Sequence, residues 1–551
     1  MPRLAALPLL LACAAAIYFV ALGSVSIWDA NEAFYVETPR EMLEAHDFIN
    51  PSFNYLPRFN KPVLSYWIVA AFYKAFGVAV GVQRFPIALG AMVIIACAFV
   101  LGRLAGEGRR EAGLWAAVGL AAAPRLVMFA RRIFIDIWIT AFMALTLTCF
   151  ALSEAYPHRR RQYLMLMYVS VGLGVLTKGP IAIALPGLAF GLYLLWHREL
   201  GRIRQMMLPV GTLIVLAIVL PWYVRLYLEH GSAQIMSFLV SENLERYTSG
   251  LGVRQQRGID FYLPVVFSDS FPISVFLVAA AALGFRSRTR TLTDAPPRTR
   301  TPALLWCWIF AIVAFFSLSA GKQDLYIFPI VPAVAALGGA ALGAGMCEAP
   351  WRGWIRWTLA VTGLLLAVAG AGVWCLFETA GRVYELRGAT AIGACALAGG
   401  LAAMWLALRW KTPASALVLM ATMIIVNYVF VIRVLPDFER YKPVPAISEI
   451  LKPRLRPSDV VADYQVALPS MVYYLRRHVD EYFEEAPFVQ AMLSNRRVYA
   501  VLSDDDFEAL QPTIGARACV LYRRQTFDVK LKNVLARQPP PELLLITNDC
   551  H

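Results

Sequence analysis

The residues of this chain that could do chemistry stand at the ends of long apolar runs. Asp29, Asn31, Glu32 and Tyr35 follow the first run, and Arg58 and Lys61 come a little later. Arg131, Arg132 and Asp136 lie in "ARRIFIDIW", Lys178 in "LTKGP", Glu242 and Arg246 in "SENLERY", and Lys322, Asp324 and Tyr326 in "AGKQDLY". Ionisable groups that face lipid are costly, so they turn to a cavity or to one another. A cavity carrying both signs of charge is therefore expected. The carboxylates after the first run are either a polar flank of a helix or part of a site that works at the membrane face.

Each candidate has a plainer reading. Asp136 begins an apolar run, where a carboxylate at a helix N-terminus is favourable by about 0.3–1 kcal/mol without any function. Against that, Arg131 and Arg132 precede it by five and four residues on adjoining turns. Lys178 could be a snorkelling lysine, or an ammonium held near the backbone by the tight turn at Gly179 and Pro180. Arg103, Arg159 to Arg161 and the cluster at 286–301 read as solvated, orientation-setting charges.

The elements that must position these residues are membrane spans. Of the 551 residues 59% are hydrophobic and only 16% charged, beyond what a soluble core requires. Runs of about 17–25 apolar residues mark spans. Thirteen are expected near 4–24, 84–104, 112–130, 135–153, 163–178, 180–197, 206–226, 262–285, 303–319, 324–345, 355–377, 388–409 and 414–433. The stretch 63–77 is short and interrupted by Lys74, which suits an interfacial helix. The first run exceeds the about 7–15 residues of a signal-peptide core.

Lys and Arg in short loops stay on the cytoplasmic side. With the N-terminus inside, the loops holding Arg103, Arg109 and Arg110, then Arg159 to Arg161, then Arg198, Arg202 and Arg204, then 286–301 are all cytoplasmic. The formal charge of +14 thus has a topological cause, and nucleic acid is not a needed partner. An odd span number puts the tail after residue 433 on the outer side, together with the outer loops at 25–83 and 227–261. The organisation expected is a transmembrane domain over 1–433 and a soluble α/β domain over 434–551. Alternating segments such as "RRVYAVL" support the strands of that domain. Seven of nine cysteines lie in or beside spans; Cys519 and Cys550 lie outside and could pair in an oxidising compartment. The sequence has no P-loop, no GxSxG, no fixed-period repeat and no His/Cys cluster for a metal.

Taken together, several segments resemble the bacterial aminoarabinose transferases. They are the first-loop pattern D-x-N-E-x-x-Y-x-E-x-x-R-E-M, "FNKPVLSYW" at 59–67, R-x-x-x-D ending at Asp136, "LTKGP", "PWY" at 221–223, "ENLERY" and S-x-G-K-x-x-x-Y. With the protein O-mannosyltransferases, these enzymes belong to the GT-C glycosyltransferases, polytopic helical membrane proteins that use a polyprenyl-phosphate-linked sugar. The resemblance implies a transfer of 4-amino-4-deoxy-L-arabinose from undecaprenyl phosphate to an acceptor such as a lipid A phosphate, at the periplasmic face of the inner membrane. It also implies Lys61, Arg246 and Tyr326 as ligands of the lipid phosphate. Fixed cations and hydroxyls stabilise such a leaving group as its charge develops. Asn31, Tyr35, Arg58, Arg132, Lys178 and Lys322 complete the expected substrate-binding set. Asp29, Glu32 and Asp136 are the expected catalytic anions, suited to an oxocarbenium-like transition state. No cofactor is required, no metal ligands are expected, and a divalent-ion requirement stays open.

One departure stands out: Asn31 occupies the place of the family's first-loop aspartate, and Phe34 that of a common arginine. Asn31 cannot be a general base. Asp29 could replace it in an extended loop, since residues two apart point to one side; an acceptor phosphate, already ionised, would need no base. The rival readings are transfer to a protein hydroxyl or surface polysaccharide, a polyprenyl-lipid binder, and a transporter. A transporter would be expected to show repeats and midplane-broken helices.

The topology is testable by fusion. A reporter active only in the outer compartment should work when joined after residue 440 and be silent within 286–301.

Overall fold

A computed structural model describes every residue except 1, 30, 133, 241–244, 250–256, 288–299, 348, 379–383, 385, 528–537 and 551. Glu242 and most of the 286–301 cluster fall outside the described residues.

The chain is a multi-pass helical membrane protein with a small sheet near its end. It opens with α1 (Pro2–Ala16), α2 (Asn31–Ala45), α3 (Leu64–Phe76), α4 (Val80–Ala105), α5 (Arg110–Ala121), α6 (Pro124–Phe129), α7 (Phe134–Ala155) and α8 (Arg160–Lys178). Helices dominate because lipid offers no partner for backbone N–H and C=O, which must then bond within the segment. Each of the thirteen apolar runs contains helix. Among the described residues, seven helices are long and apolar enough to cross a membrane, or eight if a bent pair counts as one span.

Several runs are not single straight helices. The run 112–130 breaks between α5 and α6, where Pro124 disfavours helix at the preceding residue. The run 262–285 splits into Ile259–Ser268 and Ile273–Ala282, bent by 110°. Asp269 and Pro272 stand in that break, and proline removes a helix donor. The expected interfacial stretch forms α3, which buries Ser65, Tyr66, Val69, Ala70 and Tyr73 along one face and leaves Phe76 exposed.

Small residues let the spans approach closely. A Cβ on Gly339 would stand 2.6 Å from the carbonyl oxygen of Ala112 on α5. Gly363 and Gly400 likewise meet between the helices Ala349–Glu378 and Arg387–Leu408, so the backbones themselves are in contact.

The basic loops also carry ion pairs. Arg202 pairs with buried Glu154 at 2.7 Å, and Arg160 reaches the same carboxylate at 3.5 Å. Glu199 takes Arg202 at 2.7 Å and Arg300 at 2.9 Å. The purely solvated reading of Arg160 and of the end of the 286–301 cluster is thereby corrected. The network ties the end of α7 and the start of α8 to the following loop.

On the opposite side, a turn region after α1 is held by two arginines. Arg84 of α4 is fully buried. Its Nη1 donates to the carbonyls of Leu22 and Val25, at 2.8 and 2.9 Å. Nη2 donates to the Ser26 carbonyl and to Glu32 Oε2, both at 2.9 Å, and Nε to Glu32 Oε1 at 2.6 Å. Arg131 donates to the carbonyls of Ile17, Val20 and Ala21. Both supply donors to carbonyls that a finished helix leaves open.

After α2 comes a short hairpin, β1 (Ser52–Phe53) and β2 (Leu56–Pro57), turned through Asn54 and Tyr55, both with positive φ. The tail forms a five-stranded sheet ordered β4-β3-β5-β7-β6: β3 (Val460–Tyr464), β4 (Asp480–Tyr482), β5 (Val498–Ser503), β6 (Cys519–Gln525) and β7 (Glu542–Thr547). β3 pairs in parallel with β4 and β5, while β7 is antiparallel to β5 and β6. Phe53 of the hairpin joins the core under this sheet, beside Val444, Ile447 and Val461. Cys519 and Cys550 form a disulfide across the sheet edge, with Cα atoms 5.6 Å apart.

Removing one member of a buried pair leaves the other charge without a partner, at a cost of about 3–5 kcal/mol. Arg84→Met should therefore lower the thermal unfolding midpoint of the detergent-solubilised protein sharply, and Glu32→Gln in the same chain should recover part of the loss.

Candidate functional site

Asp136 sits in the first turn of α7, and Lys178 is the last residue of α8. α8 ends there because Gly179 takes φ of 87°, a conformation that costs a glycine nothing. The two helices run side by side, so the turn brings the Lys178 ammonium to 2.5 Å from Asp136 Oδ1. Lys178 Nζ also stands 5.9 Å from the centre of the Tyr326 ring. Tyr326 packs on Phe316 at 5.0 Å, and its hydroxyl is buried with no hydrogen-bond partner among the described residues. Residues from three separate runs thus meet at one spot. Lys322, four residues before Tyr326, instead turns its ammonium onto the Ser319 carbonyl at 2.7 Å, within its own loop.

A wall of aromatic side chains joins this spot to the first outer loop. Tyr35 of α2 stacks between Tyr66 of α3, at 5.7 Å, and Phe134 of α7, at 6.0 Å. Arg58 donates to the Tyr66 hydroxyl at 3.1 Å and lies over Phe34 at 3.9 Å. The substituted Phe34 therefore serves as a platform for Arg58. Lys61 is partly buried just before α3.

The first-loop carboxylates Asp29 and Glu32 are both bonded within the fold. Glu32 gives both oxygens to Arg84 and also accepts the Trp28 backbone N–H at 2.9 Å. It holds the loop in shape. Asp29 accepts the backbone N–H of Ser470 at 2.8 Å, from the tail. The extended-loop arrangement that would let Asp29 stand in for the aspartate replaced by Asn31 is thus met by a different partner. Between them Trp28 is flanked by two cations, the Lys442 ammonium at 4.1 Å and the Arg132 guanidinium at 5.5 Å. Lys442 also donates to the Ser26 carbonyl at 2.7 Å. Asn31 opens α2 and Arg246 opens the short helix Arg246–Thr248, but the side chains of both lie outside the described residues.

Three site-forming residues escaped the sequence reading: Arg84, Arg125 and Asp269. Arg125 Nε lies 3.1 Å from Asp269, and its Nη2 pairs with Asp324. The available signal was an ionisable residue inside an apolar run. Among the described residues there is no group of three or more His, Cys, Asp or Glu able to hold a metal.

Electrostatics single out the seam between the first loop and the tail. Burial pushes the Asp29 carboxyl up to about 6, with Glu32 adding to the rise and the bonds from Ser470 and the charge of Lys442 opposing it. Burial and the neighbouring Glu481 push Asp463, on β3, up to about 7. Asp463 accepts the Leu468 N–H at 3.3 Å, and its other oxygen is buried without a partner among the described residues. Lys442 is lowered by the same burial.

The chain is similar to proteins already known in sequence and in fold. The sequence model of the dolichyl-phosphate-mannose-protein mannosyltransferase family matches residues 4–237. An undecaprenyl phosphate-α-4-amino-4-deoxy-L-arabinose arabinosyl transferase of Pseudomonas fluorescens Pf0-1 is 27% identical over 346 residues, 61% of this chain and 57% of that protein. A transferase of the same description from Pseudomonas aeruginosa LESB58 is 30% identical over 336 residues, 59% of this chain and 57% of its own length. The chain thus aligns with little more than half the length of these curated relatives. The crystal structure of ArnT from Cupriavidus metallidurans bound to undecaprenyl phosphate superposes with a TM-score of 0.77 at 22% identity, covering 98% of both chains. Its apo form gives 0.74, with 98% of this chain and 97% of that one covered. The fold is shared from end to end.

The seam predicts a pH dependence. Both carboxyls titrate above their ordinary range, so the folded protein holds protons there that the unfolded chain releases. The contribution of these two groups to stability is greatest below the ordinary carboxylate range, falls as pH rises to about 6 and about 7, and is level above. Thermal unfolding between pH 5 and 8 should show this decline, and Asp463→Asn should flatten its upper part.

Proposed function

We propose that this chain, which belongs to the superfamily of the aminoarabinose and protein mannosyltransferases, transfers a sugar from a polyprenyl phosphate to an acceptor at the outer face of the bacterial inner membrane. The sugar is 4-amino-4-deoxy-L-arabinose and the acceptor a lipid A phosphate. The observation that carries the reading is the junction of Asp136, Lys178 and the Tyr326 hydroxyl, which has no hydrogen-bond partner among the described residues, drawn from three separate apolar runs to one point. The relatives, undecaprenyl phosphate-aminoarabinose arabinosyl transferases, suggest the donor class.

The chemistry follows from these groups. Cleavage of the bond from the sugar's anomeric carbon to the phosphate oxygen leaves negative charge on the lipid phosphate. Lys178 offers a cation for it and Tyr326 a hydroxyl, already placed before charge develops; Lys61 and Arg246 are the further cations that the family resemblance implies. Asp136 faces the positive charge that grows on the ring, which a nearby carboxylate stabilises as in glycosidases. Donor phosphate competes with Asp136 for the Lys178 ammonium, so donor binding frees the carboxylate for that task. An acceptor phosphate is ionised at neutral pH and attacks without a base, which makes Asn31 compatible with activity. Tyr35, Arg58 and Arg132 line the route between the first loop and this point, and Glu32 keeps the loop in register.

In this reading residues 1–433 are the transferase domain, the tail from 434 lies in the periplasm and the N-terminus is cytoplasmic. The Cys519–Cys550 disulfide favours that side, since disulfides persist in oxidising compartments.

Lipid A from cells with and without the protein should differ by a pentose-sized mass carrying an amine. An unchanged lipid A with a glycosylated envelope protein would move the acceptor to a protein hydroxyl. In purified protein, Asp136→Asn should lose activity while retaining donor, and Lys178→Ala and Tyr326→Phe should each lower turnover. Loss of one donor to a developing oxyanion costs about 2.7–4 kcal/mol, read as a fall in kcat with membrane insertion unchanged.

A further inference from the structure

The Tyr326 hydroxyl has no hydrogen-bond partner among the described residues, so its place is set by what holds its ring and its segment. The head of the segment Asp324–Ile330 is fixed by Arg125, which pairs with Asp324, and by Tyr262, which donates to the Gln323 carbonyl at 3.1 Å. The ring rests on Phe316, near the end of the helix Thr301–Ser317. What fixes that helix end comes from a distant part of the chain.

A helix leaves its last carbonyls without partners inside the helix. Here the Phe315 carbonyl accepts the Tyr247 hydroxyl at 3.0 Å, and the two rings pack at 4.7 Å. Tyr247 also accepts from the same stretch. Its own carbonyl, in the short helix Arg246–Thr248, takes the Ala320 N–H at 2.9 Å and the Ser319 hydroxyl at 3.2 Å. Ser319 is buried, and its carbonyl holds the Lys322 ammonium. Tyr247 therefore grips residues 315 and 319–320, on either side of Phe316. Packing alone would let an aromatic ring slide along the helix end, whereas hydrogen bonds fix distance and direction.

We infer that Tyr247 is a positioning residue for Tyr326: by clasping residues 315–320 it sets the Phe316 ring on which Tyr326 rests, and so holds the Tyr326 hydroxyl beside the Asp136–Lys178 junction. The inference rests on the phosphate-binding role proposed above for that hydroxyl. Because Tyr247 directly follows Arg246, the same clasp joins the backbone that carries this arginine to the loop that carries Tyr326.

The test uses the full chain in lipid nanodiscs and measures affinity for undecaprenyl phosphate. This lipid is the leaving group of the proposed reaction, so its binding reads contacts to the developed charge without any acceptor. Tyr326→Phe should weaken it about tenfold, the loss of one hydrogen bond to a charged group. Tyr247→Phe keeps the ring and removes only the hydroxyl, and should weaken binding about fivefold. In a chain already carrying Tyr326→Phe, the same change should cost less than about twofold, because the group it positions is gone. A merely structural role would give the same factor in both backgrounds. Losses that multiply, or wild-type affinity in Tyr247→Phe, would overturn the inference and leave the phosphate reading standing. Ser319→Ala removes the other side of the clasp and should show the same dependence on Tyr326, which carries the test if Tyr247→Phe is not recovered folded. Wild-type protein that does not bind the lipid, or Tyr326→Phe that binds it equally well, removes the phosphate reading of the junction and this inference with it.

Discussion

The loop between α1 and α2, and what is built on it, depends on one buried ion pair. Arg84 enters from α4 and meets Glu32 at the start of α2, where no water reaches either group. Desolvating such a pair usually exceeds its Coulomb gain. The cost is offset here because all five guanidinium N–H donors are bonded, three of them to backbone carbonyls of the loop between α1 and α2. The pair therefore sets the path of that loop. Trp28, Asp29 and the entry to α2 follow from it, and so does the stacking of Tyr35 on α3 and α7.

From that loop the order passes to the tail. Ile27 donates its N–H to the Tyr474 hydroxyl at 3.0 Å and Ser470 donates to Asp29. Asn54 exchanges two bonds with Val479, at 2.7 and 2.9 Å. The hairpin contributes Phe53 to the core beneath the sheet. The small α/β unit is thus built onto the first outer loop. Its titrating carboxyls at the seam make the contact responsive to pH in the range where such groups ordinarily are silent.

The charges around the junction form two groups. Asp136 and Lys178 neutralise one another, and Asp269 and Asp324 both meet the guanidinium of Arg125. The broken run 262–285 is what admits the second set, because a straight helix would have no gap at Asp269.

Much of this was legible in the amino-acid sequence. Hydropathy alone determined the helical membrane class, since a chain in lipid must satisfy its backbone locally and a run of apolar residues has one way to do so. Alternation in the tail indicated the strands, Gly179 and Pro180 the turn that ends at Lys178, and the motif order the superfamily. The choice of partners belonged to the tertiary structure. Asp136 and Lys178 lie 42 residues apart, Glu32 and Arg84 52, Asp29 and Ser470 441. No local pattern distinguishes a carboxylate that will face substrate from one that will hold a loop, because both are acidic residues at the end of an apolar run. Glu32 and Asp29 looked alike as catalytic anions; packing gave one to Arg84 and the other to the tail. Phe34 read as a lost arginine until folding placed Arg58 across its ring. Side-chain chemistry is carried by the sequence, but its direction is decided by which helices come together.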